Sequence, residues 1–209
     1  LAGGDAFRAS DFQTLLDDAE VKAIWCARGG YGTIRMFDAI DWNSFEKNPK
    51  WIIGFSDVTV LHCEIQNRGF ESLHAPMPVQ IPNTTPSALT FLENTLFNAH
   101  QKFSIPTHPM NILGHAKGRI VGGNLSILAS LLGSRTALKT ENCILFIEDL
   151  DEYLYHIDRM MMNLQRNRCF ESLKGVIIGG MTQMKDHNTP WGKNVHEILY
   201  SYFSKLNIP

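Results

Sequence analysis

Cysteine is sparse and unpaired in this chain of 209 residues: Cys26, Cys63, Cys143 and Cys169 lie far apart, with no CxxC spacing among them. That argues against a disulfide-stapled miniprotein or a thiolate zinc site and for reduced thiols, as the cytoplasm maintains. Long apolar runs are missing as well. Stretches such as Ile144 to Ile147 and Val176 to Ile178 fall far short of the roughly 20 residues a spanning helix needs, so nothing is expected to cross a bilayer. Nor does one charge dominate: 19 Lys and Arg stand against 21 Asp and Glu. The basic residues are scattered, which leaves no footprint for nucleic acid or an anionic membrane. No HExxH, EF-hand or paired-cysteine pattern exists, so no metal is expected, and no cofactor.

What is present is a chain with 44% hydrophobic residues, enough to bury a core in one large domain or two small ones. Short β-rich apolar runs alternate with longer helical patterns, the signature of an α/β fold with a mostly parallel sheet. The pattern predicts a helix over Asp11 to Asp18, a buried strand over Val21 to Ala27, and a helix from Thr33 to Ile40. Trp51 to Gly54 reads as a strand, Phe55 to Asp57 as a turn, and Val58 to Asn67 as a helix closed by Gly69. Ala75 to Pro86 reads as irregular, with Ser87 capping a helix that runs to Phe97. In the second half, Ala116 to Val121 reads as a strand, Gly122 to Asn124 as a turn and Leu125 to Leu132 as a helix. Further strands are expected at Cys143 to Ile147 and Val176 to Ile178, and helices at Tyr153 to Gln165 and Val195 to Lys205. The chain opens at Leu1 without a signal peptide and stops at Pro209 after a helical segment, so both ends read as cuts through a longer protein.

Ligands of open α/β sheets sit beyond the carboxyl ends of the strands, which draws attention to four segments. Gly54-Phe55-Ser56-Asp57 is similar to a nucleophile elbow, where a tight turn lifts a serine above the sheet at a helix start. The plainer reading is that Ser56 or Asp57 caps the next helix. Gly29-Gly30-Tyr31-Gly32 lets backbone N–H groups approach a ligand, as an oxyanion hole requires, or is simply a tight turn. Gly122-Gly123-Asn124 carries the same two readings, the plain one being an Asn124 cap. Glu148-Asp149 ends an apolar run and begins four acids in five positions, suited to orienting a histidine or only to complementing a helix dipole. Eight histidines are present. His62 lies about six residues past Ser56, roughly 9 Å along a helix at 1.5 Å per residue, too far for direct contact. None is an obvious base.

The order of these segments resembles the LD-carboxypeptidase family, whose relatives include the microcin C immunity peptidases. The resemblance rests on Arg28-Gly29-Gly30-Tyr31-Gly32, on Ile53-Gly54-Phe55-Ser56-Asp57-Val58-Thr59, on Gly118 to Leu125, and on Ile144 to Asp149. It implies a serine hydrolase with a Ser, Glu, His triad. Carried across by position, it makes Ser56 the nucleophile and Glu148 the triad acid. Backbone N–H groups of Asp57, Gly30 and Tyr31 would form the oxyanion hole, an arrangement where one donor is worth about 3 kcal/mol. The family's histidine lies in a Gly-His motif after the acid. No such motif follows Glu148 here, so the catalytic histidine is expected beyond Pro209.

The resulting expectation is two α/β lobes, residues 1–103 bearing Ser56 and 115–209 bearing Glu148, with a linker over 104–114 and parts of both lobes missing. By resemblance, the protein is expected to be a cytoplasmic serine-type LD-carboxypeptidase that releases terminal D-alanine from murein tetrapeptides, and to form a homodimer. Its partner is then a muropeptide substrate, with no nucleic acid and no membrane. Two alternatives stand beside this: an immunity-type peptidase that cuts a peptidyl-nucleotide antibiotic, and a non-catalytic α/β protein binding an anionic ligand on its glycine turns.

Overall fold

In the computed structural model, which describes residues 2–97 and 102–209, short apolar runs pair in parallel and helices connect them. His100 lies outside the described residues. The chain divides into two compact units, one of Leu1–Leu61 with Phe70–Thr107 and one of His62–Gly69 with His108–Pro209.

The first unit opens with helix α1 (Asp5–Asp17), strand β1 (Ala23–Trp25), helices α2 (Thr33–Phe37) and α3 (Asn43–Lys47), and strand β2 (Trp51–Gly54). A single 3-10 turn over Ser56–Val58 leads into α4 (Thr59–Asn67), whose residues from His62 onward group with the second unit. Strand β3 (Leu73–His74), a 3-10 segment (Pro78–Asn83) and α5 (Pro86–Phe97) complete the unit. Its sheet has the order β1-β2-β3, all parallel, with Ile24 opposite Ile52 and Gly54 opposite His74. Ile52, Ile53, Phe45 and Leu16 are buried at its centre, and Trp42 meets Phe12 and Phe45 edge to face. Each such side chain contributes about 1.5–3 kcal/mol by leaving water.

The second unit holds β4 (Ile120–Asn124), α6 (Leu125–Ser130), β5 (Ile144–Leu150), α7 (Leu154–Arg166), β6 (Gly175–Thr182) and α8 (Val195–Phe203). Its strands pair in parallel in the order β4-β5-β6. Apolar residues recur along α7 at Leu154, Ile157, Met161 and Leu164, and all four are buried, which is the spacing of one helical face. Helix α8 starts with a reciprocal cap: Asn194 Oδ1 accepts from Glu197 N–H while the Glu197 carboxylate accepts from Asn194 N–H. No helix among the described residues is long and apolar enough to cross a membrane.

The α/β class with parallel sheets is as the patterning predicts, and several boundaries differ. The strand expected at Ala116 to Val121 forms at Ile120–Asn124, so Gly122-Gly123-Asn124 is its end and not a turn. The cause is close packing: a Cβ on Gly122 would lie 1.9 Å from the Phe146 carbonyl oxygen, so β4 tolerates only glycine there. Strand β5 continues through Leu150, placing Glu148 and Asp149 inside the ladder. Helix α5 begins at Pro86, and it is Thr85, not Ser87, whose hydroxyl accepts from Ala88 N–H. Proline suits that first position because its missing N–H has no helical partner to lose. Helix α1 starts at Asp5, six residues earlier than expected, and α3 was not anticipated. All four cysteines are free thiols.

Candidate active site

Strand β2 delivers the chain to Gly54, whose own carbonyl accepts from Ala75 N–H. A Cβ at Gly54 would stand 2.9 Å from Val58 Cγ2, so the turn closes this tightly only because position 54 has no side chain. Ser56 then takes φ of +62°, the left-handed region that costs a non-glycine residue about 1–2 kcal/mol. The packed surroundings hold the serine there, at the head of the 3-10 turn that becomes α4. This is the strand, sharp turn and helix geometry that presents a serine hydroxyl beyond a sheet edge.

The glycine turn packs directly against this serine. A Cβ on Gly29 would come within 3.0 Å of Ser56 Cβ and 3.2 Å of its Oγ. Gly30 and Gly32 take φ of +110° and +121°, and Gly30 and Tyr31 are exposed. Side chains hold the turn at its end. Arg8, held by Asp5, donates to the Gly32 carbonyl at 3.0 Å. Asp57, only 5% exposed, accepts through Oδ2 from both the N–H and the hydroxyl of Thr33, at 2.9 and 2.7 Å. Asp57 therefore anchors the segment after the glycine turn to the residue after the serine. The sequence offers Asp57 as a helix cap or a backbone donor and Thr33 only as a helix start, and it does not join them, because the two are 24 positions apart and belong to different elements.

In the second unit, strand alternation separates the two neighbouring acids. Leu145, Ile147 and Asp149 are buried along one face of β5, while Phe146 and Glu148 are half-buried on the other. Asp149 accepts from the Asn124 amide at 3.0 Å, Ser126 N–H at 2.9 Å and Leu150 N–H at 2.8 Å. It is thus an anchor for the start of α6, where the Asn124 side chain in turn caps by accepting from Ile127 N–H. Period-2 alternation over 145, 147 and 149 was the signal that would have separated its role from that of Glu148.

Glu148 lies opposite Asn124 in the ladder. Burial pushes its carboxyl up to about 7 and the neighbouring Asp149 adds to the rise, while a hydrogen bond with the Asn124 side chain works the other way. Gly179 on β6 makes room for it, since a Cβ there would stand 3.1 Å from Glu148 Cβ. A carboxyl poised near neutrality is a common feature of catalytic sites, although buried structural acids share it. The histidines are dispersed. His62 is buried within α4, His74 lies against the Phe55 ring, His108 neighbours His196, His156 pairs with Glu152, and His187 stacks on Tyr153. No group of three His, Cys, Asp or Glu side chains able to hold a metal occurs among the described residues.

Two family models match the chain: LD-carboxypeptidase N-terminal domain over residues 1–75 and LD-carboxypeptidase C-terminal domain over residues 117–209. A probable murein peptide carboxypeptidase of Bacillus subtilis is 39% identical over 186 residues, covering 85% of this chain and 58% of that protein. A putative carboxypeptidase of Streptomyces coelicolor is 37% identical over 100% of this chain and 67% of its own length. A microcin C7 self-immunity protein of Escherichia coli is 27% identical over 82% of this chain and 60% of that protein. The chain thus spans about three fifths to two thirds of these relatives. Among solved structures, the muramoyltetrapeptide carboxypeptidase of Oxalobacter formigenes superposes with a TM-score of 0.91 at 25% identity, covering 100% of this chain and 72% of that one. With both domain models matched in order and relatives above 30% identity along its whole length, the chain belongs to the LD-carboxypeptidase family.

Proposed function

We propose that the protein carrying this chain is a serine-type LD-carboxypeptidase that releases terminal D-alanine from murein tetrapeptides. The observation that carries the reading is Ser56: a half-buried serine held at a left-handed φ of +62° in a strand-to-helix turn, with Gly29 packed against its hydroxyl. Backbone strain of this kind persists only where the surrounding structure over-determines it, and it clusters at active sites. The family relationship and the names of the relatives supply the substrate class.

In this reading the Ser56 hydroxyl attacks the carbonyl carbon of the amide that links the terminal D-alanine. The N–H groups of Asp57 and of the Gly30-Tyr31 turn receive the developing oxyanion, and the start of α4 adds its dipole. Collapse of the tetrahedral intermediate expels D-alanine, whose amine takes up a proton, and water then hydrolyses the Ser56 ester. Glu148 orients and charge-balances the imidazole that shuttles these protons. That imidazole is assigned to none of the described histidines, and the reading places it in the sequence that follows Pro209 in the family. We assign residues 1–103 and 115–209 to separate lobes joined by 104–114, a cytoplasmic location and a homodimer to the same proposal. The immunity-type alternative draws on the 27% identity to the self-immunity protein.

The test is to incubate the protein as encoded in full with murein tetrapeptide and follow D-alanine by mass spectrometry beside Ser56→Ala. Release that vanishes in the variant supports the proposal. Folded protein that releases nothing from the tetrapeptide yet cuts an aminoacyl-nucleotide amide would move the assignment to the immunity-type activity.

A further inference from the structure

The serine turn and the glycine turn of the first unit are neighbours. A buried carboxylate ties them together. Asp57 Oδ2 accepts from Thr33 N–H at 2.9 Å and Thr33 Oγ1 at 2.7 Å, and Thr33 is the first residue of α2, immediately after the N-cap Gly32. Asp57 is also the residue whose own N–H follows Ser56. One residue therefore offers a main-chain donor beside the serine and, through its side chain, holds the segment that bears the other donors.

A tether is needed here because the glycine turn has little stiffness of its own. Gly29, Gly30 and Gly32 lack the Cβ that narrows backbone freedom, and α2 is only five residues long, too short to be stable without tertiary support. Two other contacts hold the turn, Arg8 to the Gly32 carbonyl and Arg35 to the Tyr31 side chain, and neither comes from the serine side. A charged acceptor taking two donors in a buried setting is among the stronger single restraints a fold can apply.

We infer that the Asp57 carboxylate is a positioning residue for the oxyanion hole: by gripping Thr33 it sets the spacing between the Ser56 turn and the Gly30-Tyr31 turn. The inference rests on the serine-hydrolase reading and goes beyond it, since that reading uses Asp57 only through its main-chain N–H. Asp57 touches no reacting atom through its side chain, so its loss shows in kcat and not in substrate affinity.

The experiment compares Asp57→Ala, Asp57→Asn, Thr33→Val and Thr33→Ser in the protein as encoded in full. For each, kcat and KM on murein tetrapeptide, the rate of Ser56 labelling by a fluorophosphonate, and thermal melting are measured. Asp57→Ala is expected to lower kcat about 100-fold or more with KM within about threefold, the size of effect seen when an oxyanion donor is lost. Thr33→Val, which deletes one of the two hydrogen bonds, lowers kcat about tenfold, and Thr33→Ser, which restores the hydroxyl, recovers most of that rate. Asp57→Asn, which keeps a neutral acceptor, falls between. Should Asp57→Ala fail to fold, the Thr33→Val and Thr33→Ser pair carries the decision alone. Folded variants with unchanged kcat, a loss that appears in KM instead, or equal losses for Thr33→Val and Thr33→Ser would overturn the inference while leaving the hydrolase reading intact. A wild-type protein that neither releases D-alanine nor labels at Ser56 overturns both.

Discussion

Replacing Glu148 with glutamine should make the fold more stable at alkaline pH while leaving its stability at acid pH nearly unchanged. The carboxyl is raised from 4.5 to about 7, first by burial and then by the adjacent Asp149. A group held above its unfolded value binds its proton more tightly when folded. Its stabilising contribution is therefore complete below pH 4.5 and disappears as pH climbs through about 7. Each pH unit of that rise corresponds to about 1.4 kcal/mol. The ionised side chain thus costs the folded state about 3 kcal/mol at pH 8, or about 2 kcal/mol after allowing for screening by the solvent it still meets. Glutamine has the same shape and no charge to desolvate. Urea unfolding of wild type and Glu148→Gln at pH 5 and pH 8 measures the effect, with Asp149, whose carboxyl burial also pushes up, present in both proteins. The gap between the two proteins should widen by about 2 kcal/mol in favour of glutamine between those pH values. An identical gap at both, or a variant less stable at pH 8, would refute the account of Glu148 as a desolvated acid.

Three further outcomes follow from the geometry. Ser56→Gly should be more stable than Ser56→Ala by about 1 kcal/mol in thermal unfolding, because only glycine relieves the left-handed φ of +62°; both should be inactive. Gly29→Ala should cut the rate of Ser56 labelling by a fluorophosphonate about tenfold or more with a stability change of about 1 kcal/mol, since its Cβ meets the serine at 3.0 Å and the backbone there is not left-handed. Gly122→Ala should cost about 4 kcal/mol or more, seen as a lost far-ultraviolet signal or rapid proteolysis, because the new Cβ would lie 1.9 Å from the Phe146 carbonyl oxygen.

Local patterning made much of this legible. Trp51–Gly54 leading into Ser56 was readable because an apolar run, a glycine and a helical repeat follow one another within a dozen residues. The Asn124 cap was readable for the same reason. The β4 boundary was not, since Gly122-Gly123 carries the composition of a turn, and it is the approach of the Phe146 carbonyl that explains Gly122 inside a strand. Glu148 and Asp149 looked alike in a cluster of acids. The pleat of β5 gives them opposite faces, one beside Asn124 in the ladder and one anchoring α6. The contact of Asp57 with Thr33 was out of reach because nothing local links residues 24 positions apart. The family resemblance nominates Ser56 and Glu148, and it says nothing of the side chains that hold the turns around them.

The central claim is that Ser56 forms the covalent intermediate. Its most direct test is to quench the protein as encoded in full during turnover of murein tetrapeptide, digest it, and map any acyl adduct by mass spectrometry. The account predicts an acylated peptide containing Ser56, absent from Ser56→Ala. Steady release of D-alanine with no adduct on that peptide, or an adduct on another residue, would contradict it.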